Sequence, residues 1–94
     1  MVLSGKVIKG QKTIYQKKFA DTCSEDASFR DKLEDCLLKL CKDADIPAPI
    51  WLSKNTAELA RFKKTSFFPE QYVEEVQFSR FEIEFVRNYE LYKK

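Results

Sequence analysis

The segment that most constrains the fold covers residues 46–52 and reads Ile-Pro-Ala-Pro-Ile-Trp-Leu. It holds two of the three prolines of the chain and its single tryptophan. Each proline fixes its own φ angle and disfavours a helical conformation in the residue before it, so no helix can run through the segment. Exposed linkers are usually polar, whereas this one is apolar. We therefore predict an extended hinge that crosses the core, with Trp51 packed between the helices and the sheet.

The composition is that of one globular domain. Of the 94 residues, 44% are hydrophobic and 34% are charged, which is typical of a folded protein of this size. We therefore predict a single domain over residues 1–94. The first residues contain no apolar run long enough for a signal peptide, and no stretch approaches the ~20 apolar residues of a membrane span. The expected location is the cytoplasm, without a membrane partner.

The reactive side chains argue against an enzyme. The chain has no histidine, which removes the commonest general base and the commonest metal ligand. Its three cysteines are Cys23, Cys36 and Cys41, whereas structural zinc takes four ligands. Cys36 and Cys41 would also project in different directions from a helix. We expect no cofactor, no metal and no small-molecule substrate, with reduced thiols that serve packing and Cys23 as the thiol most open to modification.

Residues 2–20 have the pattern of a β-hairpin. Two runs that favour strands, 2–9 and 12–20, flank Gly10 and Gln11, and glycine at the first position of a two-residue loop is typical of a type II′ turn. Apolar and polar residues alternate imperfectly in both runs, so the buried face of the hairpin is left open. Residues 1–20 carry five lysines and no acidic residue, a charge of +5.

The clearest helix follows Ser28, which can cap the helix together with Asp31. Apolar residues then recur at spacings of three and four positions, as expected for a helix with one buried stripe. The stripe consists of Phe29, Leu33, Cys36, Leu37, Leu40, Cys41 and Ala44. Pro47 requires this helix to end at Ile46 at the latest.

A shorter second helix is predicted after the hinge. Ser53 or Asn55 can cap it, and Asn55 with Glu58 forms the better capping box. The helix continues to about Lys64, with Phe62 on its buried stripe. Beyond it, Pro69 is suited to open one further helical turn.

The C-terminal region, residues 76–92, changes to a period of two. Phe81, Ile83 and Phe85 have one parity and alternate with charged residues, which predicts a half-buried strand. Together the elements predict an α+β fold with an N-terminal hairpin, a long amphipathic helix and a short second helix after the proline-rich hinge. The C-terminal strand would complete a small antiparallel sheet with both helices on one face.

The aromatic residues of the C-terminal region suggest the leading functional hypothesis. Most aromatic side chains of the chain lie between Phe62 and Tyr92, more than a small core can hold. We expect some of them, namely Phe78, Tyr89 and Tyr92, to be exposed and to form a partner-binding surface. The leading hypothesis is therefore a non-enzymatic interaction module that binds another protein or self-associates through its aromatic C-terminal strand.

Two alternatives remain open. Lysines of the hairpin and the basic, aromatic stretch 61–68 resemble in composition the surfaces that bind nucleic acid. The residues that would contact it are Lys12, Lys17, Lys18, Arg61, Lys63 and Lys64. The second and weaker alternative is a carboxylate-based enzyme that uses Glu82 and Glu84, which share a strand face ~7 Å apart.

Overall fold

A computed structural model describes residues 1–86, which form an α+β fold. Its elements are β1 (Val2–Lys9), β2 (Lys12–Ala20), α1 (Phe29–Ala44), α2 (Ser53–Phe62), β3 (Lys64–Phe67) and β4 (Arg80–Phe85). A short 3₁₀ turn, Pro69–Gln71, lies between β3 and β4. The strands pair in one antiparallel sheet of order β2-β1-β4-β3. The predicted C-terminal strand is therefore an inner strand, and β3, which was not predicted, forms one edge.

The hairpin turn has the expected backbone. Gly10 has a φ of +64°, whereas Gln11 does not have a positive φ, as a type II′ turn requires. The register of β1 with β2 shifts between Val7, which faces Tyr15, and Ile8, which faces Thr13. Ile14 is therefore the extra residue of a β-bulge. This bulge interrupts the alternation of β2, whereas in β1 the neighbours Val7 and Ile8 are both buried.

The main core lies between α1 and one face of the sheet. The buried stripe of α1 consists of Leu33, Cys36, Leu37, Leu40 and Cys41. It packs with Leu3 and Val7 of β1 and with the buried residues of β3 and β4. At Gly5, a Cβ atom would stand 3.0 Å from both δ carbons of Leu40 and 3.1 Å from the ring of Phe81. The helix and the sheet can approach this closely because the residue is glycine.

The two ends of α1 follow from local signals. The hydroxyl of Ser28 accepts a hydrogen bond from the N–H of Asp31 at 3.1 Å, so the predicted cap is confirmed. The helix stops at Asp45, which has a left-handed φ of 59°. The prediction for Phe29 is wrong, because this side chain is 60% exposed. It lies one turn before the core and makes an edge-on contact with the ring of Phe85 instead.

The start of α2 differs from the prediction. Asn55 is not the cap but the third helical residue, and its carbonyl oxygen accepts a hydrogen bond from the N–H of Leu52 at 3.0 Å. The Asn55–Glu58 capping box is therefore wrong. The helix ends at Phe62, and Lys63 follows in a left-handed conformation with a φ of 65°. Phe62 is 56% exposed rather than buried, since the chain turns into β3 directly after it.

The proline-rich hinge lies beside the core rather than across it. Trp51 is half-buried, and its ring lies 5.5 Å from the ring of Phe67. The indole N–H donates a hydrogen bond to the hydroxyl of Thr56 at 2.8 Å. Its neighbours Ile50 and Leu52 are exposed. Trp51 thus joins the hinge to β3 at the margin of the core.

Candidate functional site

The six predicted nucleic-acid contacts lie at opposite edges of the sheet. Lys12, Lys17 and Lys18 belong to β2, whereas Arg61, Lys63 and Lys64 lie at the end of α2 and the start of β3. Because β1 and β4 lie between them, the two edge strands are roughly 14 Å apart. The structure does not bring these cations together into one patch.

Side-chain direction divides the basic residues further. Lys17 lies on the face that packs against α1, where its amine is 3.4 Å from the carboxylate of Asp43. Lys64 belongs to the opposite face, which we call the open face, and Glu84 stands directly across from it in the register. The same face carries Glu82 opposite Lys6. Opposite charges on neighbouring strands are a common feature of solvated sheet surfaces.

The expectation of an exposed ring at Phe78 is wrong. Phe78 is only 8% exposed and packs edge-on against Tyr72, with ring centroids 5.3 Å apart. Phe78 lies in the segment before β4 and joins the core cluster, which no local pattern indicates. The other two predicted contact residues, Tyr89 and Tyr92, lie outside the described residues.

The cysteines of α1 have packing roles. Cys36 and Cys41 are buried, and burial raises the pKa of each thiol to about 11. Cys23 is half-buried, and its pKa is also raised by burial and by the nearby carboxylate of Asp35. Within residues 1–86 no group of three or more metal-ligating side chains is found.

The direction of the backbone hydrogen bonds defines which groups each edge strand presents. The carbonyl of Met1 accepts a bond from the N–H of Asp21, towards β2, whereas the carbonyl of Val2 accepts one from Val86, towards β4. Bonding direction alternates along a strand, so odd-numbered residues of β1 bond to β2. In that register the backbone groups of Gln16 and Lys18 point away from the sheet.

The outer edge of β2 is open over most of its length. Within residues 1–86, β2 pairs with no strand other than β1. At one end of β2 the outward carbonyl of Ala20 accepts a hydrogen bond from the amine of Lys39 at 3.1 Å. Over the stretch from Ile14 to Lys18, roughly 17 Å long, the outward backbone groups have no hydrogen-bond partner within residues 1–86. We call this stretch the β2 edge.

The outer edge of β3 is closed by two side-chain amides. The carbonyl of Ser66 accepts a hydrogen bond from the amide of Asn55 at 3.1 Å, and the N–H of Phe68 donates one to Gln71 at 3.1 Å. The two amides also bond to each other at 3.0 Å, and both are buried. Asn55 and Gln71 therefore occupy two of the hydrogen-bonding positions that a further strand would use. We call this pair the amide lock.

A groove of about 260 Å³ lies next to the β2 edge, between the hairpin and the end of α1. Its buried apolar side chains are Val7 and Phe78, and Ile14, Ala44 and Ile46 also line it. Ile14, the bulge residue, is 55% exposed, so the groove is reached from the edge itself. The lining is mostly apolar, which suits an aliphatic or aromatic side chain.

Two acidic side chains of α1 that contact β2 or the residues just after it, Asp43 and Asp35, are already paired. Asp43 accepts a hydrogen bond from the hydroxyl of Tyr15 at 2.9 Å in addition to its contact with Lys17. Burial and this carboxylate raise the pKa of Tyr15, which keeps the hydroxyl protonated. Asp35 pairs with Lys39 at 2.8 Å. Its hydrogen bonds with Lys39 and with the Thr22 backbone lower the pKa of its carboxyl.

Comparison of the chain with family models, with curated proteins and with solved structures found no match in any of the three. Among the described residues, no helix has the length and apolar character needed to cross a membrane.

Sequence reasoning missed the β2 edge as a site. The +5 charge of the hairpin was visible, but the edge depends on which strands pair, and β3 gave no recognisable strand pattern. The one local signal was the irregular alternation around Ile14, which the structure explains as a bulge. Bulges are frequent at sheet edges and next to functional sites.

Proposed function

We propose that this protein is a non-enzymatic interaction module that binds a partner protein at the β2 edge. The partner would contribute an extended segment that adds to the sheet as a fifth strand. The observation that carries this proposal is the row of outward backbone groups at Gln16 and Lys18, which no residue of the described chain covers. Addition of a strand to an exposed edge is a common mode of peptide recognition, because the backbone groups supply affinity and the flanking side chains supply specificity.

The inner position of β4 favours an interface at the β2 edge over one at the C-terminal strand. β4 pairs with β1 on one side and with β3 on the other, so Arg80–Phe85 have no free backbone edge for self-association. Pairing of two β2 edges from two copies would instead place Lys12, Lys17 and Lys18 of both copies along one seam. Like charges that face each other across strands are destabilising. A partner of different sequence is therefore favoured over a second copy.

The separation of the basic residues argues in the same direction against nucleic acid. Single-stranded nucleic acid is held by a continuous basic groove with exposed aromatic rings. The hairpin lysines and the group around Lys63 lie at opposite edges, with Glu82 and Glu84 between them on the open face. Aromatic side chains next to the β2 edge are engaged elsewhere, since Phe78 is buried and Tyr15 bonds to Asp43.

The test compares two substitutions at one residue of the edge. Gln16→Pro removes an outward N–H without breaking a bond between β1 and β2, a position where proline is tolerated. Gln16→Ala keeps the N–H and is the matched control. Peptides selected from a displayed random library on the wild-type protein are titrated against both variants by fluorescence anisotropy. We expect Gln16→Pro to weaken binding roughly tenfold or more, since a backbone hydrogen bond is lost and the ring obstructs the edge.

Thermal unfolding of both variants shows whether the fold is kept, and their midpoints should lie close together. Binding to Gln16→Pro as tight as binding to Gln16→Ala, with both variants folded, would contradict the proposed function. A selection that enriches no peptide above background would also contradict it.

A further inference from the structure

We infer that the segment bound at the β2 edge is acidic and places one apolar side chain in the groove beside Ile14. This inference rests on the proposed function and adds the chemistry of the partner to it. Three observations carry it: the unbalanced charge of the hairpin, the groove that opens at the edge, and the alternation that an added strand imposes on its own side chains.

The charge of the edge selects for carboxylates. The hairpin contributes five lysines, and its nearest acids on α1, Asp35 and Asp43, are held by Lys39, Lys17 and Tyr15. Within residues 1–86, Lys12 and Lys18 form no ion pair.

The acids of the open face, Glu82 and Glu84, belong to β4 and are separated from β2 by β1. A segment at the edge thus meets unpaired lysines first, and carboxylates on it would be attracted and correctly oriented.

The groove selects for an apolar side chain at one position. It is lined by Tyr15 and Val7, whose side chains lie on the core face, and by Ala44 and Ile46 just beyond the hairpin. Val7 and Phe78, which line it, are buried, and Ile14, the exposed bulge residue of the edge strand, lines its outer part. A leucine or phenylalanine inserted here would cover apolar surface that is open in the free protein.

The alternation of an added strand combines the two requirements. Side chains of the partner that lie beside Lys18 fall on the open face, and those beside Tyr15 fall on the core face, next to the groove. An acidic residue and the apolar residue should therefore be an odd number of positions apart in the bound segment. A segment with neither carboxylates nor an apolar side chain would fit neither the lysines of the edge nor the groove.

The experiment uses the peptides selected on the wild-type protein and two pairs of matched variants. Lys18→Glu reverses a charge at the β2 edge, and Lys64→Glu makes the same change on the same face at the closed edge. Ala44→Leu fills the groove, and Ala57→Leu makes the same change on an exposed position of α2. Binding is measured by fluorescence anisotropy at low and at high salt.

We expect selected peptides with net negative charge and one invariant apolar residue. Lys18→Glu should weaken them roughly tenfold and Lys64→Glu far less, and added salt should weaken wild-type binding. Ala44→Leu should weaken them several-fold, as should replacement of the apolar residue of the peptide by alanine, whereas Ala57→Leu should have no effect. Each of these results supports the inference.

The outcomes separate this inference from the function on which it rests. Selected peptides that are neutral or basic, yet still lose affinity for Gln16→Pro, would overturn the acidic partner and leave the edge-binding function standing. Equal effects of Ala44→Leu and Ala57→Leu would overturn the apolar anchor. Dimers that sedimentation detects in the wild-type protein but not in Gln16→Pro would show that a second copy binds the edge. Tight binding of an oligouridine probe that Gln16→Pro abolishes would show that RNA binds there. Either result would overturn the acidic segment. Peptides that bind Gln16→Pro unchanged would overturn both proposals.

Discussion

The two edge strands of the sheet differ in what happens to their outward backbone groups. At β3 the outward carbonyl of Ser66 and N–H of Phe68 are bonded by Asn55 and Gln71, whereas at β2 those of Gln16 and Lys18 have no partner within residues 1–86. β3 has four residues and β2 has nine. An edge strand can pair with other chains, and proteins limit this by covering the strand or by placing charges along it. One edge here is covered and the other is charged, and the proposed partner would bind at the charged one.

The difference shows how much each edge depends on a few side chains. The amide lock reaches three separate segments, because Gln71 also donates to the carbonyl of Ile50 at 3.2 Å and its own carbonyl accepts from the N–H of Ile50 at 2.6 Å. The hinge, α2 and β3 are therefore joined through two amides. Within residues 1–86, no side chain bonds to the outward backbone groups of the β2 edge, although Tyr15 and Lys17 contact Asp43. Substitutions at the two edges should consequently differ in kind: loss of stability at β3 and loss of binding at β2.

The largest effect is expected from Asn55→Ala. This change removes a fully buried amide that bonds to Leu52, Thr65, Ser66 and Gln71. It leaves buried polar groups without partners, and we expect the free energy of unfolding to fall by about 3 to 4 kcal/mol. Urea denaturation measures it.

The control for this prediction is Lys18→Ala at the open edge, which should cost less than about 0.5 kcal/mol. Exposure of the β3 edge should also make Asn55→Ala more prone to aggregate than the control. If Asn55→Ala and Lys18→Ala destabilise equally, the contrast between a locked and an open edge is wrong.

The next effect concerns Trp51, which packs beside the closed edge. The ring contacts Phe67 and its N–H bonds to Thr56, but the side chain is only half-buried. We expect Trp51→Ala to cost about 2 to 3 kcal/mol, below the range for a fully buried aromatic residue. Trp51→Phe keeps a ring and loses the hydrogen bond, so it should cost about 1 kcal/mol. A loss below 1 kcal/mol in Trp51→Ala would indicate that the hinge does not stabilise β3.

Local sequence patterns predicted the elements that depend on local signals. Ser28 capped α1, the apolar stripe from Leu33 to Cys41 faced the core, and Phe81 and Ile83 shared a buried face of β4. Each of these features is encoded within a few residues of chain. The class of fold, α+β, followed from them.

The amide lock and the open edge could not be found in this way. Asn55 resembles a helix cap in sequence, but its partner Gln71 is 16 positions away and the bond between them exists only in the folded chain. β3 has only four residues, too few to show a period. One of its two buried residues, Thr65, is polar, so the apolar alternation of a strand is absent from its sequence. Without β3, the order of strands was incomplete, and the β2 edge could not be recognised as the open one.

A smaller effect should distinguish the two edges by hydrogen exchange. The N–H groups of Gln16 and Lys18 have no partner in the described chain and should exchange at the rate of an unstructured peptide. The N–H of Phe68 also lies outside the ladder of the sheet, yet its bond to Gln71 should slow its exchange. Gln71→Ala should remove this protection while the exchange of Gln16 and Lys18 stays the same. Slow exchange at Gln16 or Lys18 in the free protein would show that the β2 edge is covered.

The smallest effect is a pH dependence at the end of the β2 edge. The carboxyl of Asp35 has a pKa below its ordinary value of 3.8, first because of its hydrogen bond with Lys39 and then because of that with Thr22. A group whose pKa is lower in the folded state stabilises the fold above its unfolded pKa, and this contribution is lost as the pH falls through the folded value. Because Lys39 also bonds to the carbonyl of Ala20, protonation of Asp35 should loosen the point where the open edge begins.

Asp35→Asn isolates this contribution, since it imitates the protonated carboxyl at every pH. The unfolding midpoint of the wild-type protein should exceed that of Asp35→Asn near neutral pH, and the difference should shrink towards zero once the pH is below the lowered pKa of Asp35. Glu34→Gln, one position earlier on the exposed side of α1, makes the same carboxyl-to-amide change and is the control. If the difference in unfolding midpoint stays constant across the acid range, Asp35 acts through its shape rather than its charge. The hydrogen bond of Lys39 to the carbonyl of Ala20 would then not depend on the charge of Asp35.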